Sequence, residues 1–453
     1  MRTNSIRKGS VCLSARTALL LAVASFLLPT AARAANVTVD CTGATPGAFS
    51  SITAALNSLP VNSPSEPNII TVTGPCTENV FIIERERLVI QAAPGQTATI
   101  NAADPSADVL GIGGSRRITL LGLILQGGQT GVIVDRGSEV EIQNSTIQSN
   151  SGDGLVVQIG SVLVMENSTI QNNGGNGLSD AAGSSVTLAT SPAQRIRILG
   201  NAGDGIDVDG SFLQVNFGTL DVENNAGAAI FQLGGRLLIF GGGVGGGNLF
   251  QNNGEGIDVL RAASANFFGR NVIRNNGDVG LQILGSSVAF NGGGTLPDGT
   301  LRATVIEGHA TVGVNVVRLG ELTMNGPHQI QNNGTATADP TLRGGIRMIR
   351  GSLTLTGGVQ ISNNTGPGIR ADQNTGLSVT NITDSNNSEQ GVKVGRQSVA
   401  GFFQPLAIVG NGVASISCDT TSLVFGDLTG ITNINCSRVE RALGPPRPGR
   451  VLP

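Results

Sequence analysis

Two neighbouring stretches of the chain, GSEVEIQNSTIQSNSGDGL at 137–155 and GSVLVMENSTIQNNGGNGL at 160–178, repeat one pattern at an interval of 23 residues. Each stretch opens with Gly-Ser, alternates apolar and polar residues, and ends with an asparagine, a glycine and an aliphatic residue. Alternation with a period of two is typical of a β-strand. A short repeat of several strands without helical periodicity predicts one coil of a solenoid, in which like residues stack on like residues.

The pattern recurs along most of the chain when the repeats are aligned on an anchor, the residue before the aliphatic residue. The anchors are Gly131, Gly154, Gly177, Gly205, Ala229, Gly256, Gly280, Gly313, Gly345, Gly368 and Gly391. The residue after each anchor is aliphatic, and the residue three after it is apolar except at Asp180 and Gln232. These two positions are therefore predicted to face the core, and longer intervals between anchors indicate insertions in a basic coil.

Asparagine recurs four residues before most anchors. Asparagine tolerates the left-handed backbone of a turn, and stacked asparagine amides can hydrogen-bond to one another along a ladder. We expect a turn role for His309, which occupies the same place in a longer repeat. The asparagines predicted to form a structural ladder are Asn150, Asn173, Asn201, Asn225, Asn252, Asn276, Asn364 and Asn387.

The composition excludes some classes of protein. The 453 residues include no Trp, no Tyr and 66 Gly, and 28 basic residues face 31 acidic ones. Nucleic-acid binding is not expected, because there is neither a basic excess nor a set of aromatic residues for stacking on bases. A hydrophobic share of 39% predicts a folded chain rather than a disordered one. No motif predicts a cofactor or a metal ion.

The N-terminal stretch 1–34 has the pattern of a cleaved secretory signal peptide. Basic residues precede an apolar run at 18–28, and Ala32-Arg33-Ala34 suits signal peptidase. The apolar run is too short to span a bilayer, and no later stretch is long enough either. We therefore predict a protein without a membrane span that is secreted, periplasmic or at the cell surface.

Four cysteines follow the signal peptide, in two groups at opposite ends of the repeats. An even number of cysteines in an exported chain favours disulfides, for which three connectivities are possible. Their grouping favours Cys41 with Cys76 and Cys418 with Cys436. A zinc site with four thiolates is the alternative, but the chain lacks the C-x-x-C spacing typical of such sites.

Several phrases resemble one known group of proteins: VTVDC at 37–41, NIITVTGPCTENVFI at 68–82, the stretch at 137–155, and SISCDTTSLVFGDLTGITNINCSRVER at 415–441. They resemble bacterial secreted right-handed parallel β-helix repeat proteins, a branch of the pectate lyase-like superfamily. The resemblance implies an all-β fold, a single-stranded right-handed parallel β-helix with an N-terminal capping helix. It does not imply an activity, because the superfamily contains lyases, hydrolases, epimerases, tailspikes and adhesins.

The capping helix is expected over Ser50–Leu59, where apolar residues follow helical spacing and Pro60 ends the pattern. We predict the following segments: the signal peptide at 1–34, an N-terminal cap with an amphipathic helix at 35–79, β-helix repeats at 80–415, a C-terminal cap closed by a disulfide at 416–441, and a disordered tail at 442–453.

Candidate site residues lie two or four positions after the anchors, where side chains are predicted to point outward in two neighbouring rows. The acidic candidates are Asp207, Asp209 and Asp258, since paired carboxylates can act as acid and base or bind calcium. The basic candidates are Arg347, Arg370 and Lys393, with Asp372 beside them, since stacked cations suit anionic sugars. The alternative in both cases is a solvated group of charges without a ligand.

Two functions remain open. One is a non-catalytic, exported binding, adhesive or surface scaffold that contacts an anionic polysaccharide or a cell-surface glycan. The other is a carbohydrate-active enzyme, either a polysaccharide lyase or a glycoside hydrolase. The chain lacks the RxPxxR, DPH and GHG signatures of related enzymes, which favours the scaffold. The oligomeric state is not predicted.

Overall fold

The computed structural model describes residues 34–62, 66–189, 194–216, 219–242, 247–295, 299–336 and 339–441. Residues 1–33 of the predicted signal peptide and the predicted tail at 442–453 lie outside this part of the chain. Nearly all regular structure within it is parallel β-strand, wound into a solenoid of stacked coils. Each complete coil contributes one strand to each of three faces, here named A, B and C.

Face A is a separate sheet of fifteen parallel strands. Its strands are Val80–Ile83, Leu110–Gly113, Val132–Asp135, Leu155–Val157, Leu178–Ala181, Ile206–Asp209, Ala228–Leu233, Glu255–Leu260, Leu281–Leu284, Val314–Val317, Ile346–Ile349, Ile369–Asp372, Val392–Val394, Ile416–Cys418 and Ile434–Asn435.

Faces B and C form one sheet of 29 strands, because Gly376–Ser385 and Val399–Val409 run through both faces. The other strands of face B are Asn36–Asp40, Asn68–Thr73, Glu86–Ala92, Arg116–Leu121, Glu139–Gln143, Val162–Glu166, Ser185–Ala189, Phe212–Asn216, Arg236–Gly241, Ser264–Gly269, Ser287–Asn291, Glu321–Asn325, Ser352–Thr356, Leu423–Gly426 and Val439–Arg441. Those of face C are Cys76–Thr77, Ala98–Asn101, Leu123–Gln126, Thr146–Gln148, Thr169–Gln171, Arg195–Leu199, Thr219–Glu223, Asn248–Gln251, Asn271–Arg274, Thr304–Glu307, Gln329–Gln331 and Val359–Ser362.

The register of face A follows the sequence alignment. Val132, Leu155, Leu178 and Ile206 pair in successive coils, and all four are completely buried. Burial of one such side chain contributes about 1.5–3 kcal/mol, so the aliphatic stacks form the core. Asp180 and Gln232, the two polar residues at otherwise apolar inward positions, also point into the core and are buried, with exposures of 1% and 0%.

The Asn ladder exists and continues through most of the solenoid. In each step, one asparagine donates its backbone N–H and its Nδ2 to the Oδ1 of the asparagine in the next coil. From Asn150 to Asn173 these distances are 3.1 and 3.0 Å, and from Asn364 to Asn387 they are 3.1 and 2.9 Å. A Cβ at the anchor Gly154 would lie 2.7 Å from the Nδ2 of Asn173, so the ladder explains the glycine of the motif.

Asn252 is not the ladder residue of its coil. Asn253 is buried and accepts from the backbone N–H and the Nδ2 of Asn225 at 3.0 and 2.9 Å. Asn252 is exposed and has a φ of 56°, because the left-handed position is the residue before the ladder. This coil has one residue fewer between the ladder and the anchor, and alignment on the anchor therefore selected the wrong asparagine.

The ladder also includes three residues outside the predicted set. Asn333 belongs to it, since its Oδ1 accepts from the backbone N–H of His309. Asn411 belongs to it as well, since its Oδ1 accepts from the backbone N–H of Asn387. His309 is completely buried, and its Nε2 lies 3.1 Å from the carbonyl oxygen of Ile273. His309 occupies a ladder position, but it does not have the left-handed backbone expected of it, since the left-handed residue is Gly308, with a φ of 74°.

A second ladder explains the Gly-Ser corners between faces A and B. Buried serines stack there, and the backbone N–H of Ser115 donates to the Oγ of Ser138 at 3.1 Å. The same bond joins Ser138 to Ser161 and Ser161 to Ser184 at 3.2 Å. Each hydroxyl satisfies a backbone donor that would be unpaired at the bend of the chain.

The described part of the chain contains one α-helix, Ile52–Ser58, and one short 3-10 helix, Pro340–Leu342. The α-helix begins at Ile52, two residues after the predicted start at Ser50. Ser51 caps it, because its side chain accepts from the backbone N–H of Ala54 at 3.0 Å. The cysteines pair as favoured, Cys41 with Cys76 and Cys418 with Cys436. Neither helix is long and apolar enough to cross a membrane.

Candidate functional site

The outward row of face A contains the predicted side chains in register. From Ile133 onward, adjacent residues pair in the order Ile133, Val156, Ser179, Asp207, Phe231, Asp258, Gln282, Asn315, Arg347, Arg370 and Lys393. Strands are about 4.8 Å apart, so the row places a carboxylate region and a cationic region within a few coils of each other.

A second outward row lies beside the first and is apolar in its central part. Leu233, Leu260, Leu284, Val317 and Ile349 pair in successive coils and are half-buried. Apolar surface of this kind suits the less polar face of a sugar ring, while the neighbouring row supplies charged and amide groups. The two rows together form the floor of a groove along face A.

The acidic end of the groove is a cleft of about 350 Å³. Glu255, Asp258 and Asp278 line it, together with the amides of Gln282 and Asn315. Asp258 is only 7% exposed, and its Oδ1 has no hydrogen-bond partner among the described residues. An unpaired buried carboxyl oxygen is costly, so this cleft contains a polar group that a ligand could satisfy.

The carboxyl groups of this region perturb one another. Burial raises the pKa of Asp258 well above its usual range, and repulsion from Glu255, Asp204 and Asp278 raises it further. Burial also raises the pKa of Asp207 to about 6, with smaller contributions from neighbouring carboxylates. A cation placed among these groups would favour their ionised forms.

Asp207 lies in a hydrogen-bonded network at the far side of this region. Its Oδ2 accepts from the Nδ2 of Asn176 at 3.3 Å, while Asp153 accepts from the backbone N–H of Asn176 at 2.7 Å and from Ser179 at 2.8 Å. Asp209, in contrast, is exposed. Asp207 and Asp258 are two coils apart, about 10 Å, with Phe231 between them.

A chain of hydrogen bonds joins the acidic cleft to the basic residues. Arg347 donates from Nη1 to the Oδ1 of Asn315 at 2.8 Å, and Asn315 donates from Nδ2 to the Oε1 of Gln282 at 2.8 Å. These residues line a further cleft of about 520 Å³, which also contains Leu284 and Ile349. Because Gln282 and Asn315 line both clefts, the groove is continuous along this part of face A.

The cleft at the other end, here called the basic end, is the largest of these three, about 580 Å³. It is lined by the cations Arg370, Lys393 and Arg396 and also by the acidic residues Asp372, Glu389 and Asp419. The prediction of a solvated Arg370 is wrong: its side chain is 7% exposed and lies 4.0 Å from Glu389. Its Nε has no hydrogen-bond partner among the described residues. Lys393 is half-buried and forms no ion pair within the described ranges.

An insertion between Asn333 and the anchor Gly345 forms one rim of the groove. It contains the 3-10 helix Pro340–Leu342, whose Leu342 lines the acidic cleft and whose Pro340 lines the basic one. The 32-residue interval before Gly345 marked this insertion in the sequence, but nothing in its composition indicated where it would lie.

Sequence reasoning missed the carboxylates that come shortly before the anchors. Asp153, Asp204 and Glu255 directly precede their anchors, and Asp278 precedes its anchor by two residues. The predicted acids Asp207 and Asp258 therefore belong to a larger group, while Asp209 lies at its exposed edge. The recurrence of an acidic residue directly before the anchor was the sequence signal that could have identified this group.

Metal-binding groups are scarce in the described ranges. Cys41, Cys76 and Glu78 place their ligand atoms close together, but the two sulfurs are joined in a disulfide. No other group of three His, Cys, Asp or Glu residues in the described ranges meets the same spacing.

Comparison with known proteins agrees with the fold. Residues 109–291 match the family described as "Right handed beta helix region", which confirms the type of repeat predicted from the sequence. No curated protein sequence matches the chain.

Solved structures show similar solenoids at low identity. The A-module of the mannuronan C-5 epimerase AlgE6 from Azotobacter vinelandii is 16% identical over 87% of this chain and 95% of its own, with a TM-score of 0.39. The periplasmic alginate epimerase AlgG is 12% identical over 90% and 84%, with a TM-score of 0.32. The receptor-binding protein of bacteriophage Det7, a tailspike, is 9% identical over 96% and 80%, with a TM-score of 0.30. Similarities at these identities and TM-scores assign no activity to this chain.

Proposed function

We propose that this chain is an exported, non-catalytic β-helix that binds an anionic polysaccharide or cell-surface glycan in the groove of face A. The observation that carries the proposal is the stack of Arg347, Arg370 and Lys393 in three successive coils beside open clefts. Arginine presents a planar fork of donors that suits a carboxylate, and lysine adds a compact charge.

The three cations differ in how they would act. Arg347 and Lys393 are half-buried, so their charged groups are available to a ligand, while Arg370 is buried next to Glu389. Burial lowers the pKa of Arg347, and the neighbouring Arg370 adds to this effect. A carboxylate of the ligand would relieve this repulsion between the two guanidinium groups.

Export is supported by the two disulfides, since such bonds persist in oxidising compartments. The signal peptide proposed for 1–34 is consistent with that compartment. We also propose that the helix Ile52–Ser58 caps the first coil, since its residues contact the strands Asn36–Asp40, Asn68–Thr73 and Val80–Ile83. A cap would cover strand edges that could otherwise pair with another chain.

A double variant tests the binding proposal. Arg347→Ser with Lys393→Ser should weaken binding to pectate or alginate by about 100-fold or more, since each of the two charge-assisted contacts contributes about 1.5 kcal/mol or more. Binding is measured as Kd by isothermal calorimetry at two salt concentrations, because screening should weaken the parent protein's binding. Arg370 is left intact, because its replacement would leave Glu389 without its partner.

The matched control is Arg116→Ser with Arg236→Ser. Both residues are exposed on face B, and their loss changes the net charge by the same amount. We expect this control to bind like the parent. Equal weakening of both double variants would show that net charge, and not the groove, determines binding.

The second candidate function is a polysaccharide lyase or glycoside hydrolase. The observation that favours it is the raised pKa of Asp258 and of Asp207, because a carboxyl that keeps its proton near neutral pH can act as a general acid. Incubation with pectate, alginate and neutral glucans, followed by assays for reducing ends and unsaturated uronates, separates the two functions. Turnover that Asp258→Asn abolishes would replace the binding proposal by the enzymatic one.

A further inference from the structure

One end of the groove is lined by carboxylates without a cation, whereas the other is lined by Arg370, Lys393 and Arg396 beside Asp372, Glu389 and Asp419. A uniformly anionic polymer satisfies only the cations of the second end. Glu255, Asp258 and Asp278 line the first cleft, and Arg370 and Lys393 line the last. Four steps in register separate Asp258 from Arg370, which corresponds to about 19 Å along the solenoid.

We infer that the groove recognises a zwitterionic glycan, one that carries free amino groups as well as carboxylates. The ammonium groups would bind in the acidic cleft, and the carboxylates would bind at Arg347, Arg370 and Lys393. The inference rests on the proposed function and names the class of ligand for that same groove.

Each end of the groove contains a buried ionisable side chain with an unsatisfied polar atom. The Oδ1 of Asp258 and the Nε of Arg370 both lack a hydrogen-bond partner in the described part of the chain, and both side chains are 7% exposed. A buried charge is stabilised when an opposite charge or a hydrogen-bonding group reaches it. An ammonium donor suits Asp258, and an anionic acceptor suits Arg370.

The middle of the groove suits the rest of a sugar chain. Gln282, Asn315 and Arg347 offer amide and guanidinium groups, and the parallel row of Leu260, Leu284 and Ile349 offers apolar surface. The 3-10 helix Pro340–Leu342 lines both end clefts and keeps one side of the groove closed. A linear ligand that spans four coils would therefore contact both charged ends at once.

Two polymers that differ in one group test the inference. Heparosan carries one uronate and one N-acetylated amino sugar in each repeat, and its de-N-acetylated form carries the same uronate beside a free amine. If the cationic end alone recognises the ligand, removal of the acetyl groups should weaken binding, because it lowers the net negative charge of the polymer. If the acidic cleft also takes part, the same change should strengthen binding.

We expect the de-N-acetylated polymer to bind about 10-fold more tightly than heparosan, since charge-assisted hydrogen bonds to the carboxylates are gained. In Glu255→Gln with Asp278→Asn, the de-N-acetylated polymer should bind no more tightly than heparosan, because the carboxylates that accept from its amines are absent. Asp258→Asn should also remove the gain, and the double variant provides the test if Asp258→Asn does not fold. These titrations contain EDTA, so that divalent metal ions do not bridge carboxylates. Calcium is added only in a separate titration without EDTA.

Each other result contradicts the inference. Tighter binding of heparosan, or equal binding of the two polymers, would leave the proposed function intact and exclude the zwitterionic ligand. Calcium that raises heparosan binding while the amine brings no gain would assign the acidic cleft to a metal ion. Failure of the parent to bind either polymer, or pectate or alginate, would overturn both the proposed function and the inference.

Discussion

Replacing Asn253 by alanine is expected to lower the free energy of unfolding by about 2–5 kcal/mol, because it leaves several buried groups without partners. Asn253 accepts from the backbone N–H and Nδ2 of Asn225, and its own Nδ2 donates to the carbonyl oxygens of Val222 and Gln251 at 3.0 and 3.1 Å. Its loss would interrupt the ladder in the middle of the solenoid. Unfolding in urea followed by circular dichroism measures the effect.

The control for this variant is the preceding residue. Asn252 is exposed and has a left-handed backbone, a conformation that glycine adopts without cost. Asn252→Gly should therefore change stability by less than about 0.5 kcal/mol. If Asn252→Gly lowers the free energy of unfolding more than Asn253→Ala does, the ladder passes through Asn252 and not through Asn253.

Replacing Asp384 by asparagine should remove much of the loss of stability that the protein undergoes as the pH rises from about 4 to about 8. Asp384 is completely buried on face C, and its Oδ1 accepts from the Nδ2 atoms of Asn387 and Asn411 at 3.0 Å each. Its Oδ2 has no partner in the described ranges. Burial raises the pKa of Asp384 to about 8, from an ordinary value of 3.8.

The direction of the pH dependence follows from this shift. The folded protein holds the proton of Asp384 more tightly than the unfolded chain, so the stabilisation is fully present below about pH 4 and is lost as the pH rises towards about 8. The maximum slope is about 1.4 kcal/mol per pH unit. Asp180 should add to it, since burial raises the pKa of Asp180 to about 7.

Urea unfolding of the parent and of Asp384→Asn at about pH 5 and about pH 8.5 tests this, and the difference between the two pH values should shrink by about 2–4 kcal/mol in the variant. Asp209→Asn is the matched control, because Asp209 is exposed. If the slope persists in Asp384→Asn, or if Asp209→Asn removes it as well, Asp384 is not its source.

Much of the fold could be predicted from the sequence because a solenoid stacks like residues on like residues. The aliphatic residues after each anchor, the outward row from Asp207 to Lys393, and the pairing of the cysteines all follow from local alternation and repeat spacing. Each coil contacts mainly its neighbours, so contacts between adjacent coils follow from aligning the repeats.

The prediction of Asn252 as a ladder residue was wrong because alignment on the anchors does not detect a change in loop length. The ladder requires that each amide stack on the amide of the neighbouring coil, and loop length between ladder and anchor does not matter to that stacking. Asn333 was missed for the same reason, because an insertion separates it from its anchor Gly345. Loop length varies freely on a solenoid surface, while hydrogen-bond geometry inside does not.

The sequence by itself determined the repeat, the inward and outward rows, and the order of acidic and basic residues along face A. Only the tertiary structure decided that Asp258 and Arg370 are buried, that Glu255 and Asp278 join Asp258 in one cleft, and that the helix Pro340–Leu342 forms the rim of the groove. Burial and clefts depend on where insertions fold over neighbouring coils, and those contacts join residues far apart in the chain. Repeat spacing carries no information on such contacts, which is why the charged rows were predictable and the groove was not.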